Sequence, residues 1–269
     1  MSRKALLVGL KYPSEPDYYK EYSVNDVLEF NKCLTEGLNF SQSDINIIVD
    51  TSATKGPGKK HGFHANIIMN ELSKLISGAK AQDILLFVLC GHGTLEGQNI
   101  YLGHDEEGNQ RFMTAKDFDR VLKQVPTNVK LYMFINCDGS GGLVEGFNNQ
   151  LSNDNYANSP LDPYPSVITF TSCKRGTKGG FIYSLSWGCK CSHFMYVAIR
   201  VIETNHNLTN LKLARRIGLL LEERDVLRFV LLNVAEGEYE LDEKEKNDVI
   251  QHPALLCTNA QSIAQFLSN

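Results

Sequence analysis

Two glycine-flanked polar clusters carry the residue types from which nucleophilic catalysis is built. The first is Gly91-His92-Gly93, directly after the apolar run Asp83–Cys90. The second is Asn136-Cys137-Asp138-Gly139-Ser140-Gly141-Gly142, at the end of the apolar run that starts at Val129. A histidine that takes a proton and a thiol or hydroxyl that attacks a carbonyl must meet at hydrogen-bond distance. The strand ends of an open α/β sheet bring such groups together. Glycine supplies tight turns and lets backbone approach a ligand closely.

Each cluster also has a structural reading. A lone Gly-His-Gly is more often a turn than a base. Ser140 is expected to bond the backbone of its own turn. Its surroundings, Asp-Gly-Ser-Gly-Gly, have the wrong order for a trypsin-like serine, and Asp138 breaks the Gly-x-Ser-x-Gly elbow. Cys137 lies one residue from Asp138. Side chains alternate along a strand, so Cys137 faces away from His92 unless the turn shifts by one. A buried apolar setting is common for such a cysteine. His92, Asp138, Cys137 and His104 have no metal-ligand spacing. The cluster Cys189-Lys190-Cys191-Ser192-His193 reads as a loop before a helix.

The elements that must hold these clusters follow from periodicity. Lys4–Leu10, Asp44–Asp50, Asp83–Cys90, Val129–Asn136 and Ser166–Cys173 read as strands, with Val226–Val234 and Ala254–Thr258 as last strands. Helical spacing appears after Ser23, an expected N-cap, and among Ile67, Ile68, Leu72, Leu75 and Ile76. Further helices are expected after the cap Thr114, over Cys191–Thr204 and over Leu208–Glu223. A hairpin is expected across 99–113, turning near Glu107 and Gly108. Residues 51–61 read as a surface loop, and 236–248 as a solvated acidic insert. Strands alternating with helices predict an α/β fold, a mainly parallel sheet covered on both faces.

Composition sets limits. The chain has 269 residues, a formal net charge of −4 and 42% hydrophobic residues, the mix of a packed globular protein. That balance disfavours a nucleic-acid-binding face. No apolar run approaches the roughly 20 residues of a membrane span, and the N-terminus does not read as a signal peptide. Seven scattered cysteines without a CxxC pair fit a reduced, cytoplasmic or nuclear setting.

Taken together, the motifs resemble the metacaspases, most closely the plant-type (type II) members. That family carries Ser-Gly-His-Gly-Thr and Asp-Ser-Cys-His-Ser-Gly-Gly-Leu at two strand ends. Here they stand as Cys90-Gly91-His92-Gly93-Thr94 and Asn136-Cys137-Asp138-Gly139-Ser140-Gly141-Gly142-Leu143. Ala5-Leu6-Leu7-Val8-Gly9, Tyr12-Pro13, Val24-Asn25-Asp26-Val27, Val125-Pro126 and Gln251-His252-Pro253-Ala254-Leu255-Leu256-Cys257 are similar too. The resemblance implies a caspase-like three-layer α/β/α sandwich around a mainly parallel six-stranded sheet. It implies one domain over 1–269, with a large-subunit-like half 1–144, a short linker loop 145–165 and a small-subunit-like half 166–269. It further implies descent from calcium-activated cysteine endopeptidases that cut after Arg or Lys, and a monomer.

The departures fall on the chemistry. His92 holds the base position, but the nucleophile position holds Asp138. A carboxylate is a poor substitute for a thiolate, since its acyl product is an anhydride. The following histidine is Gly139, and the acid of the basic-side-chain pocket is Asn136, which keeps size and loses charge. Residues expected on the substrate side are Asn136, Gly93, Gly139 and Ser140. Calcium sites need several carboxylate oxygens. Glu145 and Asp117 stand in two matching columns, yet Ala115 and Lys116 stand where the family is acidic, and Gln98-Asn99 replaces an acidic pair. This argues against calcium activation, and no cofactor is required. The expected function is a pseudo-protease that binds or regulates a peptide or protein partner, including an active metacaspase. The alternative is an altered endopeptidase using Cys137 with His92. An Asp138 carboxylate close to His92 would favour the imidazolium.

Overall fold

The computed structural model describes residues 2–13, 21–50, 65–95, 98–104, 107–143, 166–205, 208–234 and 254–257. Among them a six-stranded sheet forms the middle layer. Its strands are β1 (Arg3–Gly9), β2 (Ile45–Val49), β3 (Ile84–Cys90), β7 (Lys130–Asn136), β8 (Ser166–Thr171) and β11 (Ala254–Cys257). The spatial order is β11-β8-β7-β3-β1-β2. All neighbours run parallel except β11, which is antiparallel to β8. The expected mainly parallel sheet is what forms. β3 lies at its middle and is buried at every residue, as a near-continuous apolar run predicts.

Alternation along the strands divides the core in two. Ala5, Leu7, Leu86, Val88, Tyr132 and Phe134 face one layer. There they meet α1 (Glu21–Lys32), α4 (His193–Thr204) and α5 (Asn210–Val234). Leu6, Val8, Phe87, Leu89, Met133 and Ile135 face the other. That layer holds α2 (Ala65–Ser77) and α3 (Ala115–Leu122), with the hairpin of β5 (Asn99–His104) and β6 (Gln110–Thr114). The result is the three-layer α/β/α sandwich. Phe134 anchors the first layer: its ring stacks on Phe170 at 4.7 Å and meets Phe30 at 5.1 Å.

Local chemistry sets several boundaries. Thr114 caps α3 through a complete capping box with Asp117, as its position predicts. Gly108 turns the β5–β6 hairpin at φ 86°. Ser23, by contrast, is no N-cap. It lies inside α1 and is fully buried, because α1 presses on β1 at Gly9: a Cβ there would be 2.7 Å from the Ser23 carbonyl oxygen.

Two further expectations are corrected. Residues 226–234 are not a strand but the continuation of α5. A short apolar run has no period that separates buried helix from buried strand, and here the preceding helix extends through it. Cys189–Ser192 is not a loop but the strand β10, paired antiparallel with β9 (Phe181–Ser184) in a separate hairpin. Ser192 then caps α4 by accepting from the Met195 amide at 3.2 Å. The expected segments 51–61, 145–165 and 236–248 lie outside the described residues.

Truncating Phe134 to Ala removes the ring that joins Phe30 and Phe170. The expected cost is about 3–5 kcal/mol of unfolding free energy, read as a fall in the urea midpoint at unchanged m-value.

Candidate functional site

The two clusters meet because their strands are neighbours that end level. Cys90 of β3 pairs with Asn136 of β7, and the Gly91 amide donates to the Asn136 carbonyl at 3.0 Å. His92–Gly93 then leaves the main sheet as β4, pairing with Tyr101 and Ile100 of β5. The two turns are in direct contact. A Cβ at Gly93 would fall 2.0 Å from the Asp138 carbonyl oxygen and 3.0 Å from Cys137 Sγ. A Cβ at Gly91 would fall 2.8 Å from the Tyr12 phenol oxygen. Both glycines of Gly-His-Gly are therefore required by close approach of neighbouring groups within the protein.

Tyr12 is the organiser that the sequence did not reveal as such. Its backbone is left-handed, φ 56°, a conformation costly for a bulky residue. The Asp50 carboxylate holds it there, accepting from the Lys11 amide and from the Tyr12 amide at 2.8 Å. The Tyr12 phenol accepts from the His92 amide at 2.9 Å and donates to the Tyr101 carbonyl at 2.8 Å. Its ring lies 5.2 Å from the imidazole of His92 and 5.5 Å from the ring of Tyr101. Burial drives the Tyr12 phenol well above its usual pKa, so it stays protonated as the donor that this chain of bonds needs. Burial also raises the Asp50 carboxyl, although the bonds from Lys11 and Tyr12 oppose it.

The second cluster divides by strand parity. Asn136 faces the α1 layer, where its side-chain amide donates to Asp26 at 3.2 Å. Asp26 is fully buried, and its other oxygen accepts from the Ser192 amide at 2.8 Å. An acid at 136 would place two carboxylates side by side. Asn136 instead gives the carboxyl beside it a hydrogen-bond donor. Cys137 faces the opposite layer with Ile135 and Leu89 and is 3% exposed, so its thiol lies in apolar core. Asp138 is partly exposed, and its carboxylate accepts from the Gly179 amide at 2.9 Å. The hydrogen bond that the structure gives Asp138 is thus to Gly179 and not to His92.

Gly139 takes φ 60° and donates its amide to Thr177 at 2.9 Å. Ser140 is fully buried; its hydroxyl accepts from the Cys173 amide at 3.1 Å and donates to the Cys173 carbonyl at 3.3 Å. The Ser140 hydroxyl thus bonds backbone, but that of Cys173 after β8 and not that of its own turn. Gly141 also donates to Cys173, at 2.8 Å. The loop between β8 and β9 is consequently stitched across both turns, and Gly176 ties it to the Leu95 carbonyl at 2.8 Å. This loop, Lys-Arg-Gly-Thr-Lys-Gly-Gly at 174–180, was visible in the sequence as a basic, glycine-rich run. Tyr22 is a second missed residue. It stacks on Phe181 at 5.6 Å, and burial together with Asp138 and Asp26 raises its phenol pKa.

Of the two calcium candidates, Asp117 is committed to the Thr114 capping box and to Arg120 at 3.3 Å. Glu145 lies outside the described residues. Among the described residues no group of three or more His, Cys, Asp or Glu side chains is arranged to hold a metal ion. His104 is engaged by the Tyr101 phenol at 2.9 Å.

Replacing Tyr12 by Phe leaves the His92 amide without its acceptor and the Tyr101 carbonyl without its donor. A loss of about 1–3 kcal/mol is expected, measured by urea unfolding. The raised Asp50 carboxyl has its own signature. A group whose folded pKa lies above its unfolded value contributes stability below the unfolded value and loses it as pH rises through the folded value. Stability measured across the acid range therefore carries a component that declines with rising pH, and Asp50→Asn is expected to remove that component.

Comparison with known proteins matches this arrangement to one family. The sequence model of the metacaspase peptidase C14 domain matches residues 3–146, more than half of the chain, and spans both clusters. Metacaspase-7 of Arabidopsis thaliana is 31% identical over 160 residues, 56% of this chain and 38% of its own length. Metacaspase-4 of the same plant is 30% identical over 160 residues, covering 56% of this chain and 36% of its own length. The aligned part thus spans about two fifths or less of these relatives. Among solved structures, protein GSU0716 from Geobacter sulfurreducens superposes with a TM-score of 0.58 at 13% identity, over 98% of this chain and 97% of that one, a likeness of fold. The chain belongs to the metacaspase family.

Proposed function

We propose that this chain is a metacaspase-type pseudo-protease, which holds a peptide or protein partner without cutting it. The observation that carries this is Asp138. By its resemblance to the family motif it takes the nucleophile position, and its carboxylate is already bonded to the Gly179 amide. Attack by a carboxylate on a peptide would exchange an amide for an anhydride, an unfavourable trade that a thiol avoids through its thioester. The nearby thiol, Cys137, follows β7 and is buried in the cluster that holds Ile135 and Leu89. The hydroxyl of Ser140 is bonded to Cys173. His92 remains beside the turn in the family's base position, its imidazole 5.2 Å from the Tyr12 ring.

The binding half of the reading rests on what is retained. His92 and the two glycine turns of the family motif keep their places at the level ends of β3 and β7, while Asn136 in place of an acid weakens attraction to a basic side chain. The partner is accordingly a peptide segment or a protein that presents one, an active metacaspase included. No cofactor enters this reading, and calcium is not required. No helix among the described residues is long and apolar enough to cross a membrane. Cys33, Cys90, Cys137, Cys173, Cys189 and Cys191 are free thiols, which fits a reducing, cytoplasmic setting.

One observation favours the alternative, an endopeptidase using Cys137: its sulfur lies against Gly93, the neighbour of His92. Turnover of fluorogenic peptides with Arg or Lys before the scissile bond, with and without calcium, decides between them. No turnover above a buffer blank is expected. Turnover that disappears in both His92→Ala and Cys137→Ala would overturn the pseudo-protease reading.

A further inference from the structure

The β9–β10 hairpin and the loop before it combine exposed cations with exposed apolar side chains. Between Asp162 and Glu203 the sequence has no acidic residue and five cations, Lys174, Arg175, Lys178, Lys190 and Arg200. The chain as a whole is negative, so all of its excess negative charge lies elsewhere. Lys174, Arg175, Lys178 and Lys190 are exposed. On the same hairpin, Tyr183 is 61% exposed and Leu185, at the tip, 91%. Phe181 and Tyr183 are two residues apart and share a face. Lys190 is the cross-strand partner of Tyr183, so its side chain stands on that face too. A shallow depression of about 290 Å³ lies among Phe181, Ile182, Tyr183 and Lys190.

The acidic groups near this face are mostly engaged. Glu29 is paired with Lys32, Asp26 is buried against Asn136 and Ser192, and Asp138 is bonded to Gly179. Glu21 stands toward the Cys189 end. The hairpin is held firmly enough to present a surface. The Asn25 side chain donates to the Lys190 carbonyl at 2.8 Å, and Tyr183 closes the turn by donating to the Gly188 carbonyl at 3.0 Å.

We propose that this hairpin and the basic loop before it form a docking surface for an acidic, apolar segment of a partner protein, lying beside the turn that carries Asp138. Apolar side chains of that segment cover Phe181, Tyr183 and Leu185, and its carboxylates meet Lys190, Lys178 and the neighbouring cations. Charge complementarity selects this occupant, since a basic segment would be repelled by the same residues. The surface is independent of whether Asp138 or Cys137 does any chemistry.

The test uses the full chain and a short fluorescein-labelled peptide of interspersed glutamate, leucine and phenylalanine. The same peptide with lysine for glutamate is the control, and binding is followed by anisotropy. The acidic peptide is expected to bind, and to weaken as salt is raised. Its affinity is expected to fall about tenfold or more in Lys178→Glu/Lys190→Glu and, separately, in Tyr183→Ser/Leu185→Ser. These side chains are exposed, and circular dichroism checks that the variants are folded. Absence of binding, equal binding of the lysine peptide, or binding unmoved by both double substitutions would overturn the proposal. It is also overturned if sedimentation shows a dimer that Tyr183→Ser/Leu185→Ser dissolves, which would make the face a self-association surface. Retention on phosphatidylserine vesicles without peptide binding would instead assign the face to membrane. Because no hydrolysis is read, the result is separate from that of the peptidase assay.

Discussion

Two turns occupy a space with room for only one side chain layer. The carbonyl of Asp138 lies where a Cβ of Gly93 would be, and the phenol of Tyr12 lies where a Cβ of Gly91 would be. This contact follows from β3 and β7 being parallel neighbours that end at the same level, Cys90 beside Asn136. Everything else at the site is arranged around it. Asp50 bends the chain at Tyr12 so that the phenol arrives, and β5 supplies the carbonyl that the phenol needs. On the other side, Ser140 and Gly141 bind the loop after β8, which in turn reaches Asp138 and Leu95.

The strands and most helices were legible in the sequence because their signals are strong. The unbroken apolar run of β3 and the alternating faces of β7 need no tertiary information to interpret, and Thr114 announces α3 through its cap. What was not legible depended on packing. Ser23 has the composition of a cap, but the glycine in β1 that draws α1 inward is not adjacent in sequence. Residues 226–234 are apolar without a decisive period, so only the helix before them settles their state. Cys189–Ser192 is too short and too mixed to declare itself a strand; its partner β9 makes it one.

At the site the same division holds. Alternation along β7 correctly separates Asn136 from Ile135, a local rule, but the bonds of the Ser140 hydroxyl go to Cys173, 33 residues away, where its own turn was the expected partner. The pairing of Asn136 with Asp26 could not be seen, since the two are 110 residues apart. It changes the meaning of the amide at 136, which is the hydrogen-bond partner of a buried carboxylate as well as a lost charge. Nor could the role of Tyr12 be read from Tyr-Pro alone. A left-handed tyrosine is unusual, and only the Asp50 clamp and the contacts with His92 and Tyr101 explain why the chain tolerates it.

The glycines at 91 and 93 have a consequence for what a surviving motif means. They are demanded by the steric fit of one turn against another, so they would persist in any descendant that keeps the fold, with or without catalysis. The main-chain amide of His92 is likewise a structural donor that any residue but proline could supply. The imidazole is the part of Gly-His-Gly that a side-chain substitution can test, and it packs 5.2 Å from the ring of Tyr12.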